Sequence, residues 1–218
     1  MAASACFDAG CQRCPRLVAY RNQSKYRYTG YHSAPVPAFG DADPRLLIVG
    51  LAPGLHGANR TGRPFTGDYA GILLYQTLHA LGLATQPVSE SADDPLELRG
   101  VRITNAVKCV PPDNKPTTAE ARECLGFLRA ELVAHAHARV IVALGRIAHD
   151  AILAASAQKR SSHAFAHGAE HELPGGRWLV DSYHCSRYNT QTRRLTAAMF
   201  HTVLARAATL AGLPPPGP

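Results

Sequence analysis

The stretch RLLIVGLAPGLHGANRTGRPFTGD, residues 45–68, decides the fold and locates the candidate site. Its first six residues are a short apolar run that is typical of a buried parallel strand. The run leads into a loop that has five glycines, counted from Gly50, and ends at one carboxylate, Asp68. Glycine lets the backbone approach a neighbouring group closely, so we expect this loop to wrap a ligand. No GK[ST] sequence closes the loop and no GxGxxG is present, which argues against a nucleotide-phosphate loop.

Further strands and helices follow the same apolar pattern along the chain. Runs rich in Val, Ile and Leu predict three more strands, over residues 101–107, 139–145 and 177–184. Helical periodicity predicts helices over residues 68–81, 117–135, 146–157 and 192–210. In the second of these, Thr117 and Glu120 are spaced as a capping box. Strands that alternate with helices predict an α/β fold with a mostly parallel sheet. Ligands bind beyond the carboxyl ends of such strands, where the opening loop begins.

Length and charge bound the class of protein. The 218 residues suit one domain, over residues 1–213, and we expect the Pro-rich tail at 214–218 to be disordered. The net charge is +7 and arginine supplies most of the 23 cations, so an anionic partner is expected, with nucleic acid first. The alternative is a basic protein without such a partner. No apolar run approaches the ~20 residues of a membrane helix, and the start, MAASACFDAG, lacks a signal-peptide pattern. We expect a cytoplasmic monomer.

Six cysteines are expected to be ligands or free thiols, because cytoplasmic proteins rarely form disulfides. Cys11 and Cys14 form CQRC, Cys109 ends the second strand, and Cys124 lies in the second helix. Four thiolates suit zinc or an iron–sulfur cluster, and the spacing does not choose between them. Scattered buried thiols are the alternative. Cys6 is a substitute ligand to consider, because its spacing to the CQRC pair matches plant-type ferredoxins.

Three segments together resemble the active-site motifs of the family 5 uracil-DNA glycosylases, the UDGb type. They are GLAPGLHGANRTGRPFTGD (50–68), TNAVKCVPP (104–112) and SYHCSRYNTQTRRLT (182–196). With CQRCPRLV at the start, the resemblance extends from Cys11 to Leu210. The iron–sulfur family 4 enzymes are similar, but their first motif has an acid where this chain has Leu51. Cys185 departs from the family pattern, which has a small apolar residue or proline there.

The resemblance implies both a fold and a reaction. The fold is a three-layer α/β/α arrangement with a central four-stranded parallel sheet. A structural [4Fe-4S] cluster is implied on Cys11, Cys14, Cys109 and Cys124. The reaction is cleavage of the N-glycosidic bond of a deaminated base in DNA, with the nucleotide flipped out of the helix. Two alternatives stay open: a lesion-binding or covalently trapping protein of the same fold, and a cysteine-ligated protein that binds a free nucleotide. The sequence does not choose among uracil, hypoxanthine and xanthine, or between single- and double-stranded DNA.

Four side chains are candidates for the chemistry that the resemblance implies. Cleavage calls for an anion or oriented water near C1′ and a donor to the base oxygen that gains charge. Asp68 is the candidate for the first role, and its alternative is a helix N-cap. His184 is the candidate donor to O2 of the base, and its alternative is a structural histidine. Asn105 can pair with O4 and N3–H of uracil or satisfy local backbone. Phe65 matches the aromatic residue that stacks on the flipped base, and its alternative is a core phenylalanine.

Further contacts with substrate and DNA are expected from the loops. The additional substrate-binding candidates are Gly50, Ala52, Gly54, Asn59, Arg187 and Asn189. Arg187, Arg193 and Arg194 stand in a stretch without acids, so we expect them on phosphates. We expect Tyr188, Asn189 or Gln191 to enter the gap left by the flipped base. A basic N-terminal run is a second candidate for backbone contact, and its cations are Arg13, Arg16, Arg21, Lys25 and Arg27.

Overall fold

A computed structural model describes residues 6–213, and the tail at 214–218, predicted to be disordered, lies outside the described residues. The strands are β1 (Phe39–Gly40), β2 (Leu46–Gly50), β3 (Val101–Asn105), β4 (Val140–Leu144), β5 (Glu170–Leu173) and β6 (Arg177–Ser182). The helices are α1 (Pro15–Arg27), α2 (Ala58–Thr61), α3 (Tyr69–Ala80), α4 (Thr118–Ala134), α5 (Arg146–Ala155), α6 (Arg187–Gln191) and α7 (Ala197–Leu210). Among these, none is both long and apolar enough to cross a membrane.

One sheet organises the molecule, in the order β1-β3-β2-β4-β6-β5. Its four central strands are parallel, as the sequence predicted, and each edge is closed by an antiparallel strand. The chain runs from β2 to β3 on one side and then crosses to β4 on the other. The order of the sheet therefore reverses at β2, and ligands in open α/β sheets bind at such a reversal. The glycine-rich loop leaves the carboxyl end of β2 at this point.

Apolar side chains of the parallel strands are buried on both faces of the sheet. In β2, Leu46 and Ile48 join the core under α3 and α7, whereas Leu47 and Val49 join the core under α4 and α5. This alternation follows from the two-residue repeat of a strand. It explains why the strands read as continuous apolar runs, since parallel sheets are covered on both faces. The three layers, helix, sheet and helix, are those expected from the sequence.

The structure differs from the sequence prediction at the chain ends and the sheet edges. The last helix begins at Ala197 and not at Thr192, because Arg193 has a left-handed φ of 57° and Thr196 caps the helix. The short helix α6 precedes it. Helix α1 was not predicted, since only Leu17 among its apolar side chains is buried. The edge strands give no apolar run, because β1 has only two residues and β5, EHEL, is mostly polar. The capping box of Thr117 and Glu120 forms as predicted.

Candidate active site

The opening loop folds back so that its terminal acid faces its own glycines. Asp68 is the N-cap of α3, and its Oδ1 accepts a hydrogen bond from the Gly71 N–H at 3.0 Å. Its Oδ2 lies against Gly54 and Gly57, and a β-carbon on residue 57 would collide with the carboxylate. Glycine at 57 therefore permits the carboxylate to lie beside the loop. The two candidate roles of Asp68, helix cap and catalytic carboxylate, are thus compatible with one geometry, because one oxygen caps the helix and the other is turned towards the loop.

Burial changes the ionisation of Asp68. Loss of hydration raises the pKa of Asp68 above its usual 3.8, and the backbone N–H groups of Gly71 and Ala70 oppose that rise by stabilising the anion. Among residues 6–213, no cation shifts this pKa or forms a salt bridge with Asp68. The carboxylate is therefore held by backbone dipoles alone, which leaves its charge available to a cation that develops nearby.

Phe65 is held in an unusual backbone conformation beside the end of β2. Its φ is +54°, in the left-handed region that non-glycine residues rarely adopt. The buried Tyr75 hydroxyl donates to the carbonyl of Pro64 at 2.8 Å and fixes the preceding peptide. A β-carbon on Gly50 would lie 2.5 Å from the Phe65 ring, so glycine is required there. The Phe65 ring stacks on that of His184, with centroids 6.0 Å apart and planes inclined by 30°.

His184 follows β6 and is neutral near pH 7. Burial lowers the pKa of His184 to about 4, because the imidazolium loses its hydration. A neutral imidazole donates from one ring nitrogen and carries no charge of its own. The side-chain amide of Asn189 donates to the backbone carbonyl of His184 at 2.8 Å and holds this turn in place.

Asn105 ends β3, which pairs with β2 at Gly50. Its side chain is buried, and Oδ1 finds no hydrogen-bond partner within the described residues. An acceptor that is buried without a partner is costly. Either a water molecule or a donor on a ligand is expected to satisfy it. The alternative role for Asn105 was a hydrogen bond to nearby backbone, and Oδ1 accepts no such bond within the described residues.

One cavity of about 520 Å³ at the carboxyl edge of the sheet collects most of the predicted site. The predicted residues that line it are Ala52, Gly54, Phe65, Asp68, Asn105, His184 and Arg187. These residues come from three separate segments, which matches the three motifs. A carboxylate, an amide and a neutral imidazole thus face one space that is large enough for a base and its sugar.

Three of the predicted substrate contacts do not lie on this wall. Asn59 is fully buried, and its amide nitrogen donates to Ser24 Oγ at 3.0 Å, so it joins the opening loop to α1. Gly50 lies beneath the Phe65 ring and supports the wall without forming it. Asn189 lines a neighbouring cavity and is committed to the His184 carbonyl. All three act on site residues through packing or hydrogen bonds, which sequence spacing alone did not reveal.

The cavity also has wall residues that sequence reasoning missed. His56 lies in the opening loop, Tyr69 follows Asp68, and Asn114 follows the second motif. The position of His56 within the glycine-rich loop was an available signal. For Asn114 the only signal in the sequence was the preceding Pro-Pro-Asp run, which indicates a turn, and the structure shows that Asn114 itself has a left-handed φ of 55°.

Helix α6 stands at the rim of the cavity and carries exposed side chains. Arg187, Arg193 and Arg194 are exposed, as contact with phosphates requires. The guanidinium of Arg187 lies 6.0 Å from the Tyr69 ring centroid. Tyr188 is 71% exposed, whereas Asn189 is bound to His184. Of the side chains predicted to enter the gap in the DNA, Tyr188 and Gln191 are exposed, whereas Asn189 is held by its hydrogen bond to the His184 carbonyl.

The four predicted ligand cysteines line one small cavity away from the candidate active site. Cys11 and Cys14 reach it from the N-terminal segment, Cys109 from the segment that follows β3, and Cys124 from α4. The buried Arg21 donates to Cys109 Sγ at 3.0 Å. The backbone N–H of Lys108 also donates to Cys124 Sγ, at 3.5 Å. Hydrogen bonds of this kind stabilise thiolates.

The two remaining cysteines lie apart from this cavity wall. Cys6 is partly buried and does not line the cavity. Cys185 is fully buried in the core beneath the third motif, where burial and the charge of Asp68 raise the pKa of its thiol. The thiol at 185 therefore packs as a small apolar side chain, which is the kind of residue that the family pattern has there.

The basic N-terminal run is only partly available to DNA. Arg21 is buried against Cys109, Arg16 pairs with Glu120 at 2.7 Å, and Arg13 lies over the Phe127 ring at 4.7 Å. These three cations bind the N-terminal segment to the rest of the protein. Lys25 and Arg27 are exposed, so they remain candidates for contact with phosphates.

Comparisons with known proteins agree with the motifs. The family model of the uracil DNA glycosylase superfamily matches residues 37–208. A type-5 uracil-DNA glycosylase of Thermus thermophilus is 53% identical over 208 residues, covering 93% of this chain and 94% of that protein. A type-5 uracil-DNA glycosylase of Pyrobaculum aerophilum is 46% identical over 206 residues, covering 93% and 89%. A type-4 uracil-DNA glycosylase of Pyrobaculum aerophilum is 35% identical over 145 residues, covering 66% and 59%.

Proposed function

Because this chain belongs to the uracil-DNA glycosylase superfamily, we propose that it excises uracil from DNA by hydrolysis of the N-glycosidic bond. The product is an abasic site. We further propose that hypoxanthine and xanthine are excised at the same site. The observation that carries the proposal is the cavity at the carboxyl edge of the sheet, where Asp68, Asn105 and His184 meet.

The target nucleotide has to leave the helix before it can reach this cavity. A base inside a duplex is stacked and paired, so enzymes that act on it flip it into a pocket. The exposed cations on and beside α6, Arg187, Arg193 and Arg194, would hold the phosphates on either side. Tyr188, exposed on the same helix, would fill the space that the base leaves.

Two opposite charges develop as the glycosidic bond breaks, and the site has a group suited to each. Positive charge grows on the sugar, and the Asp68 carboxylate, without a cation of its own, would stabilise it and orient the attacking water. Negative charge grows on the base. Because the pKa of His184 is lowered to about 4, its neutral imidazole would donate a hydrogen bond to O2 of the departing base. A neutral imidazole does not form an ion pair with the Asp68 carboxylate, so its N–H stays available to the anionic base.

Asn105 would read the edge that deaminated bases share. Uracil, hypoxanthine and xanthine each present a carbonyl beside a ring N–H. The amide of Asn105 can donate to the carbonyl, and its unpartnered Oδ1 can accept from the N–H. Cytosine and adenine have an amino group and a bare ring nitrogen at these positions, so they would leave the amide mismatched. This supports a preference for deaminated bases as a class.

A panel of single-lesion oligonucleotides tests the proposal. Single strands and duplexes that carry uracil, hypoxanthine, xanthine, cytosine or adenine at one position are incubated with the protein. Treatment with alkali then reveals abasic sites. We expect cleavage at the three deaminated bases and none at cytosine or adenine. Cleavage at uracil alone would limit the proposal to uracil. A stoichiometric covalent adduct with no turnover would replace it with a trapping protein.

We also propose that Cys11, Cys14, Cys109 and Cys124 hold a [4Fe-4S] cluster. When bound, the cluster would join the N-terminal segment to β3 and α4 through thiolate bonds and would have a structural role. The thiols of these cysteines are more widely spaced than the ligands of a single metal ion. Within residues 6–213, the one group of three ligand atoms that all lie within 4.8 Å of one another is His149, His171 and Asp181, and it contains no cysteine. Four thiolates around one zinc ion would lie about 3.8 Å apart, given bonds of ~2.3 Å. The wider spacing of the thiols therefore supports a larger group.

Iron analysis tests the cluster and its ligands. Purified without oxygen, the protein should absorb near 400 nm and contain about four irons per chain. Cys109→Ala should lose iron and destabilise the fold, because the ligands join distant segments. Cys6→Ala is the matched control and should retain the iron. Loss of iron from Cys6→Ala would make Cys6 a ligand, and stoichiometric zinc without iron would exclude the cluster.

A further inference from the structure

Three aromatic rings form a cluster beside the mouth of the active-site cavity. Tyr28 and Tyr31 are stacked, with centroids 4.9 Å apart and planes inclined by 17°. The ring of His56 stands edge-on to both, at 5.3 and 6.0 Å. A hydrogen bond of 2.9 Å joins the Tyr31 hydroxyl to His56 Nδ1. We call these three residues the Tyr–His cluster.

The Tyr–His cluster is continuous with the cavity that contains Asp68 and His184. His56 lines that cavity and is itself exposed. Tyr28 is the C-cap of α1, and the backbone N–H of Tyr31 donates a hydrogen bond to the Tyr28 carbonyl at 3.2 Å. The cluster thus extends the wall outward, from the opening loop towards the N-terminal segment. None of the catalytic roles proposed above uses it.

Two arginines lie next to residues of the Tyr–His cluster. The Arg27 guanidinium lies 5.4 Å from the Tyr28 ring centroid. Arg60 donates from Nε to the backbone carbonyl of His56 at 2.8 Å, which holds its guanidinium against the opening loop. Both arginines are exposed, and neither forms a salt bridge within residues 6–213. Aromatic rings with free cations beside them are the elements that bind unpaired nucleotides, by stacking on bases and by contact with phosphates.

We propose that the Tyr–His cluster is a binding site for an unpaired base, the one next to the flipped nucleotide on the same strand. This inference rests on the proposed function, since a flipped nucleotide defines the neighbour. The neighbour loses a stacking partner when the target leaves the helix, and the rings at the cavity mouth replace that partner. Because every base has a π-face, the contact tolerates any sequence and favours DNA that is single-stranded or locally opened.

Fluorescence of 2-aminopurine tests this site directly. Single-stranded oligonucleotides carry a tetrahydrofuran abasic analogue, with 2-aminopurine placed at one position at a time on either side. We expect the wild-type protein to quench the fluorescence strongly at one adjacent position. Tyr31→Ala should abolish that quenching and raise the Kd for the single strand about 10-fold or more. Tyr31→Phe keeps the ring and should retain most of the quenching.

Two controls keep the test decisive. Tyr26→Ala removes a tyrosine of α1 that is 90% exposed and outside the cluster, so quenching should persist. Tyr31→Leu keeps apolar bulk and should lose quenching even if Tyr31→Ala does not fold. Quenching that persists in Tyr31→Leu, or no quenching at either adjacent position, would overturn the inference. Excision of uracil without quenching would overturn the cluster's role alone, and quenching without excision of any base would overturn the proposed function alone.

Discussion

The carboxylate of Asp68 occupies the space beside Gly57 that a β-carbon at residue 57 would fill. The same carboxylate accepts a hydrogen bond from the Gly71 N–H at 3.0 Å and so caps α3. The helix cap fixes the direction of the side chain, and the glycine admits it to the loop. The two roles that sequence reasoning set against each other for Asp68 are therefore structurally compatible, and only a change of charge can separate them.

Asp68→Asn separates the cap from the charge. Asparagine caps a helix about as well as aspartate, so stability and binding of uracil DNA should be retained. The single-turnover rate constant should fall by about 10²-fold or more, because the charge acts mainly in the transition state. Rapid-quench measurement at saturating enzyme gives this rate constant. A rate near that of the wild type would leave Asp68 with the cap alone.

Gly57→Ala tests the close approach of the loop to Asp68. The added β-carbon collides with the carboxylate, so Asp68 has to move and the single-turnover rate constant should fall by about 10²-fold. Gly126→Ala is the matched control, since a β-carbon there meets nothing within 4 Å and lies on α4. The control should keep its activity. Unchanged activity in Gly57→Ala would mean that the position of the carboxylate is not critical.

The pH profile of the single-turnover rate constant tests the ionisation states. Burial raises the pKa of Asp68 above 3.8, so activity should fall as the pH decreases through that raised value. The pKa of His184 is lowered to about 4, so this residue stays neutral at higher pH and adds no change in activity near pH 6.5. A loss of activity below about pH 6.5 that is absent in His184→Gln would show that His184 titrates normally.

Salt dependence of DNA binding tests the cations beside α6. Each change of Arg187, Arg193 or Arg194 to Ala should flatten the slope of log K against log salt by roughly one unit. Arg129→Ala removes the same charge from an exposed position on α4, near Arg177 at the amino edge of the sheet, and should leave the slope unchanged. Titrations at several salt concentrations supply the slopes. An unchanged slope in the triple variant would place DNA on another surface.

A buried ion pair predicts how stability depends on pH. Burial, the largest single influence, would lower the pKa of His149. The hydrogen bond to Asp181 at 2.7 Å, the negative charge of Asp181 and weaker contacts with His163 and Asp150 together outweigh burial and raise this pKa above 6.5. The resulting stability is present below pH 6.5 and is lost as the pH rises through the raised pKa. Urea unfolding should therefore show a decline above about pH 6.5 that His149→Gln lacks. His201→Gln, an exposed histidine on α7, should behave like the wild type.

The sequence by itself determined the class of fold and the place of the site. The four parallel strands are buried on both faces along most of their length, so each contains a run rich in Val, Ile or Leu that can be recognised without its neighbours. The capping box at Thr117 depends on two residues three apart, which is a local pattern. The glycine-rich loop directly follows a predicted strand, so its position beyond the carboxyl edge of the sheet followed from the α/β pattern.

Only the tertiary structure decided which side chains meet and what charge they carry. Asn59 and His56 lie three residues apart in the same loop, yet Asn59 bonds to α1 and His56 lines the cavity. That difference depends on where distant segments pack. The pKa of His184 depends on burial by residues far away in sequence. Likewise Arg21, one cation in a basic run, is buried on Cys109, 88 residues away. Local sequence patterns predict elements, whereas desolvation and long-range contacts arise only when the elements pack together.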